Sequence, residues 1–189
     1  YEITTGDWSS DVCSSDLSLP NAVFVRGNCD REPDEWERSR LSEDDVAFLQ
    51  GLPERVELDG VLYTHATPGS DEEVVTPATS DEELAEIVAG VEQAAVVVGH
   101  THMQQDRRIG SVRWVNAGSV GLPYEGELAA FWALVDDGEV ELRKTVLEVD
   151  EVADAFRRSA WPRADEILRE NVLETVSREE ATAEIEARR

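Results

Sequence analysis

Apolar residues in this chain gather into short runs separated by polar, turn-forming stretches. Residues 22–25 (AVFV) form an unbroken apolar run ended by Arg26-Gly27-Asn28, the pattern of a buried strand running into a loop. Ser42 opens SEDDVAFLQGL, with an acidic first turn, Val46 and Leu49 on one face, and Gly51 and Pro53 as stop signals. A helix is predicted there. Residues 61–63 are a second predicted strand, leading at once into Thr64-His65-Ala66. Residues 67–79, rich in proline, threonine and acids, read as a long loop. Ser80-Asp81-Glu82-Glu83 has the form of a capping box and predicts a helix to about Ala89, ended by Gly90.

Residues 94–98 (AAVVV) are the clearest buried strand, and Gly99-His100-Thr101-His102 follows directly. Residues 112–115 run into Asn116-Ala117-Gly118-Ser119. Residues 128–135 and 139–149 flank Asp137-Gly138, a tight hairpin signal. From Glu151 onward three stretches are helical: EVADAFRRSAW, DEILRENVLETV and a capped SREEATAEIEA. Strands that alternate with helices, followed by an antiparallel hairpin, predict a layered α/β fold with at least one mixed sheet. Chemistry in such sheets collects beyond the carboxyl ends of the strands, where this chain places its unusual residues.

The 189 residues suffice for one domain with a hydrophobic core and fall short of two ordinary ones. Hydrophobic residues make up 41% and charged residues 31%, a globular balance rather than a disordered one. The longest uncharged apolar stretch, 128–135, is far shorter than the roughly 20 residues a membrane helix needs. Acids outnumber bases 42 to 17, for a net charge of −25. A surface of that sign repels phosphate backbones, which argues against nucleic acid as a partner and fits a highly soluble, cytoplasmic chain. Two cysteines, Cys13 and Cys29, offer no disulfide framework and no structural zinc knuckle.

Residues 1–17 stand apart. YEITTGDWSSDVCSSDL crowds serine with aspartate, has no helical or strand period, and lacks the basic start and apolar middle of a signal peptide. It resembles the conceptual translation of a short-read sequencing adapter. The expected organisation is therefore a non-native segment at 1–17, a core over 18–150 and a helical extension over 151–189. Four acids and no base lie in the first segment, so the rest carries −21 and stays strongly acidic. Cys13 and Gly6-Asp7 are set aside as functional candidates.

The chain has three histidines, His65, His100 and His102, each one to four residues beyond a predicted apolar strand. One histidine in such a loop is commonly satisfied by hydrogen bonding alone. Three in corresponding loops change the weighing. His-x-His in an extended segment places both rings on one side, and paired imidazoles suit zinc, manganese or iron. Gly27-Asn28-Cys29-Asp30 follows the first strand. Its glycine permits a sharp bend, while Asn28 and Asp30 offer oxygens to a metal or to a ligand's neighbour. The simpler account is a turn with Asp30 as a cap.

In this order, and each at a strand end, RGNCD, THA and GHTH resemble the calcineurin-like metallophosphoesterase superfamily, most of all its small bacterial and archaeal phosphodiesterase-type branch. The resemblance covers about residues 23–135, and residues 115–120 (VNAGSV) resemble the family's Asn-Pro-Gly-Ser loop. It implies the metallo-dependent phosphatase fold, an α/β four-layer α/β/β/α sandwich of two mixed sheets. The first strand and the helix after it are expected to be missing. It also implies that Asn28, His65 and His100 hold one metal through an amide oxygen and two imidazole nitrogens, and that His102 belongs to a second. The implied cofactors are two divalent ions in the intact protein, manganese first, with zinc, iron or nickel as alternatives.

Cys29 and Asp30 are the candidate catalytic residues. Asp30 would orient a neighbouring group. Cys29 stands where many relatives carry a histidine able to protonate the leaving group; a thiol, with an ordinary pKa of about 8.5, is a poorer acid for that task. The complete family also has a bridging aspartate and an N-terminal Asp-x-His. The latter is absent here, and Gly6-Asp7, 21 residues before Asn28, is read as a coincidence.

The implied function is hydrolysis of a small phosphoester, diester or monoester, by metal-activated water. The chain itself is expected to be an incomplete, weakly active fragment. The alternative is a non-catalytic scaffold of the same fold that binds a partner protein; retention of all four metal-site residues favours the enzyme. A purely structural metal is the third reading, and closed tetrahedral coordination would mark it. Arg26, Arg107 and Arg108 lie near the loops, and ordinary surface charge is the simpler account of them.

Overall fold

The computed structural model describes residues 21–189. The expectations for residues 1–17, with Gly6, Asp7 and Cys13, and for the missing first strand lie outside the described residues. A five-stranded sheet forms the centre, from β1 (Arg55–Leu58), β2 (Val61–Thr64), β3 (Ala95–Val98), β4 (Gln105–Ile109) and β5 (Val112–Asn116), in the order β1-β2-β3-β5-β4. The three central strands, β2, β3 and β5, run parallel, and β1 and β4 pair antiparallel at the edges. The mixed sheet expected from the alternation of strands and helices is present. A second sheet joins β6 (Ala129–Asp136) to β7 (Glu139–Val146); among the described residues it is wholly antiparallel. Its turn carries positive φ at Asp137 (48°) and Gly138 (79°), the geometry of a two-residue hairpin.

Helices flank the sheets. They are α1 (Asn28–Arg31), α2 (Glu35–Arg38), α3 (Glu43–Gly51), α4 (Asp81–Ile87), α5 (Val149–Ser159), α6 (Ala164–Ile167) and α7 (Arg178–Arg188). A π-helical stretch, Leu168–Leu173, continues α6. Ser42, Ser80 and Ser177 each cap the helix that follows by accepting a backbone N–H, as their sequence positions predict.

Period two along the central strands explains the layering. Leu62, Val96, Val98 and Trp114 face one side and pack with Leu84 and Val88 at the α4 end. Val61, Tyr63, Ala95, Val97 and Val115 face the other, against Val140, Ala133 and Leu142 of the second sheet. Both faces are thus apolar, which is why these strands read as continuous hydrophobic runs. Leu84 is fully buried, and its truncation to alanine would cost about 2–5 kcal/mol. A third cluster, Ala153, Leu168 and Val172 with Leu128 and Phe156, seats the C-terminal helices beside the start of β6. Helix α4 thus covers one face of the central sheet and the second sheet covers the other.

Some expectations need correction. Residues 22–25 carry no strand among the described residues, although Val25 is buried in the core between the sheets. The backbone N–H of Arg26 donates to Pro53 O at 2.8 Å. Two edge strands, β1 and β4, do not stand out in the sequence because RVEL and QDRRI are largely polar. Pairing with an apolar neighbour makes them strands, and only Val56, Leu58 and Ile109 add apolar side chains to the core. Asp59 (φ 51°) and Gly60 (φ 75°) form the β1–β2 turn, a hairpin signal of the same kind as Asp137-Gly138. No helix among the described residues is long and apolar enough to cross a membrane.

Candidate metal centre

Three parallel strands end at one edge of the central sheet, and each end delivers one motif. His65 follows β2, the Gly99–His102 loop follows β3, and Asn116 closes β5. Asn28, at the start of α1, meets them there. His65 Nε2 lies 2.8 Å from Asn28 Oδ1 and 3.1 Å from His100 Nδ1, and the two rings meet edge to face at 4.9 Å. His65 is only 4% exposed.

The convergence depends on Gly27. A Cβ at this position would stand 3.2 Å from His65 Cε1 and Nδ1, so only glycine lets the ring lie this close without displacement. Its N–H donates to Asp30 Oδ2 at 2.7 Å. Asp30 thus acts as a local brace for the turn that presents Asn28. Cys29 is exposed, next to Asn28 on the same short helix.

The Gly99–His102 loop is strained. His100 (φ 59°) and His102 (φ 58°) both occupy the left-handed region, which costs a side-chain-bearing residue about 1–3 kcal/mol and persists only where surroundings hold it. Asn116, 1% exposed, is the main restraint: its Nδ2 donates to Gly99 O and to Thr101 Oγ1, the latter at 3.0 Å. Thr101 Oγ1 donates in turn to Val75 O at 3.1 Å. Asn116 Oδ1 accepts from Gly118 N, so one buried amide ties two loops together.

His102 lies apart from the trio. Its Nδ1 is 2.8 Å from Leu122 O, and because a carbonyl only accepts, this nitrogen must carry the proton. Any ligation by His102 would have to go through Nε2. A backbone carbonyl in this role fixes the ring's tautomer and orientation, as seen around metal-bound histidines. Tyr124 stacks on the ring at 5.4 Å, and its N–H donates to His102 O at 3.1 Å.

Asn28, His65 and His100 are therefore brought together, His102 is held nearby by a different set of bonds, and Cys29 and Asp30 flank Asn28. Among the described residues no three His, Cys, Asp or Glu side chains gather tightly enough to hold a metal; the trio consists of two imidazoles and an amide. The donor set nonetheless suits a divalent transition ion. Neighbouring ligands in an octahedron with bonds of about 2.1 Å stand roughly 3 Å apart, close to the spacings here. Arg26 and Arg107 pair with Glu54 and Asp81, away from the trio. The restraint by Asn116 was not predicted. Its position directly beyond an apolar strand was the available signal.

The calcineurin-like phosphoesterase superfamily domain model matches residues 3–137. No protein of curated function matches the chain by sequence. Two solved structures share the fold. One is a hypothetical protein from Pyrococcus horikoshii, at 17% identity and a TM-score of 0.68, with 84% of this chain and 76% of that one covered. The other is a metallophosphoesterase from Sphaerobacter thermophilus, at 19% identity and a TM-score of 0.67, with 87% and 81% covered. Such low identities carry the fold alone; the domain match carries the family. With its motifs converging at one sheet edge inside the matched residues, this chain belongs to the calcineurin-like phosphoesterase superfamily.

Proposed function

We propose that the chain is a divalent-metal-dependent phosphoester hydrolase in which Asn28, His65 and His100 hold one ion and His102 contributes to a second. The observation that supports this most is the approach of Asn28 Oδ1, His65 Nε2 and His100 Nδ1, three donors from three separate elements, at the C-terminal edge of the sheet. Manganese is the first candidate, with zinc, iron or nickel as alternatives. When bound, two such ions supply a hydroxide nucleophile at neutral pH and stabilise the charge developing on phosphate.

The chain's own residues do the positioning. Gly27 gives the His65 ring its place, and Asp30 steadies the turn carrying Asn28. Asn116 keeps His100 in its strained conformation through the Gly99 carbonyl and Thr101. Leu122 O holds the proton on His102 Nδ1. Cys29, exposed beside Asn28, is the candidate donor of a proton to the departing oxygen.

Calorimetric titration with manganese or zinc tests the ligand set. One site of appreciable affinity is expected, lost in His100→Ala and in His65→Ala. Retention of full affinity in both variants would reject the assignment. Slow hydrolysis of bis(4-nitrophenyl) phosphate, dependent on added manganese and absent in His100→Ala, is the matching activity.

A further inference from the structure

A cleft of about 760 Å³ runs outward from His102 and Cys29, between the α1–α2 segment and the C-terminal helices. Its volume suits an organic group of ordinary ligand size. Four of the chain's twelve aromatic residues line it: Trp36, Tyr124, Phe156 and Trp161. Trp36 on α2 and Trp161 beyond α5 meet with ring centroids 6.5 Å apart and planes tilted by 55°. Both are half-buried. Arg40 lies over the Trp36 ring at 5.4 Å and Arg163 over Trp161 at 5.8 Å, contacts that restrain the planes of both indoles. Tyr124, stacked on His102, continues the aromatic lining to the metal centre.

Charge along the cleft narrows what it can accept. Glu32, Asp34, Glu37, Glu170 and Glu184 outnumber Arg163 and Arg188, and these arginines already pair with Glu166 and Glu184. A second phosphate or a carboxylate placed there would be repelled. A planar ring has the opposite fit, because aromatic side chains bind π-faces whatever the ring's substituents.

We infer that the cleft receives the ester group of a phosphodiester substrate, and that this group bears an uncharged planar ring lying against Trp36 and Trp161. The inference rests on the hydrolase reading for the placement of the phosphate, and makes the C-terminal helical extension part of the substrate site. Trp36 and Trp161 are then specificity-determining residues.

Saturation-transfer NMR titration of the full chain tests this without turnover. The probes are methyl phenyl phosphate, methyl cyclohexyl phosphate and dimethyl phosphate. The phenyl ester is expected to bind about tenfold more tightly than the other two, with the strongest transfer to its ring protons. Trp161→Ala is expected to abolish that preference, and Trp161→Phe to restore most of it. Trp36→Ala is a second variant, should the first fail to fold as judged by near-ultraviolet circular dichroism. Equal binding of the three esters, or an unchanged preference in folded tryptophan variants, would overturn the inference. His100→Ala separates the two readings: it removes metal binding but should leave transfer to the phenyl ring in place.

Discussion

Arg178 donates from Nη1 to both carboxylate oxygens of Glu125, at 2.9 and 2.8 Å, across 53 residues of sequence. The same nitrogen donates to Gln104 O at 2.8 Å, and Glu125 accepts the Gln104 N–H in return. This cluster fastens the N-terminal turn of α7 to the residues just beyond His102. A hydrogen bond from Gly126 N to Val176 O, at 2.9 Å, adds to the fastening. The C-terminal helices are thus joined to the chain segment that carries the candidate metal centre.

Removing the guanidinium should show how much that joint contributes. The Glu125 side chain is 8% exposed and that of Arg178 35%, so Arg178→Met leaves a nearly buried carboxylate without its cation. Breaking a fully buried pair costs about 3–5 kcal/mol; partial exposure of Arg178 lowers the expectation to about 2 kcal/mol. Urea denaturation of Arg178→Met against wild type measures it. A loss below about 0.5 kcal/mol would show that the cluster is only surface decoration.

Asn116→Ala should weaken metal binding without touching a ligand. It strips the Gly99 carbonyl and Thr101 hydroxyl of their shared donor, and His100 is free to leave its left-handed conformation. Loss of comparable supporting partners lowers metal affinity by about 10–100-fold. Calorimetry with manganese should show that loss, while Asn116→Asp, which cannot donate in the same way, should fail to rescue it.

Gly118→Ala is expected to destabilise the protein rather than alter its chemistry. Gly118 has φ 87°, and an added Cβ would stand 2.7 Å from Phe131 Cβ and 2.9 Å from Gln104 Cγ. Overpacking and left-handed strain together cost about 3 kcal/mol, a drop in melting temperature of roughly 6–12 °C for a chain of this size. A melting temperature unchanged within about 2 °C would contradict the packing described.

The sheet edge carries a pH dependence of known sign. Asp106 on β4 accepts from Arg113 Nε at 2.9 Å and Nη2 at 2.8 Å, and this hydrogen bonding holds its carboxyl below the ordinary value. A depressed carboxylate stabilises the fold above its unfolded pKa of about 3.9, and the contribution disappears as pH falls through the folded value. Asp106→Asn should therefore be less stable than wild type at pH 7, by under about 1 kcal/mol because the pair is partly exposed, with the gap closing in acid. Denaturant midpoints at several pH values measure the gap.

Local sequence accounts for much of this molecule. The runs at 61–63, 94–98 and 112–115 are apolar on both faces because both faces of the central strands are covered, so they are readable as buried strands without knowing what covers them. Serine caps and the Asp137-Gly138 turn act over a few residues and are equally legible. The order of RGNCD, THA and GHTH, each beyond an apolar run, was enough to indicate the family. Tertiary structure alone decided the rest. β1 and β4 exist because a neighbour supplies their hydrogen bonds, whereas the apolar run at 22–25 carries no strand among the described residues. Likewise, Asn116, Gly27, Glu125 and Arg178 matter through distance and shape. A hydrogen bond across 53 residues, or the 3.2 Å that spares His65 its place, has no periodic trace along the chain, because side-chain geometry is set only once distant segments have packed.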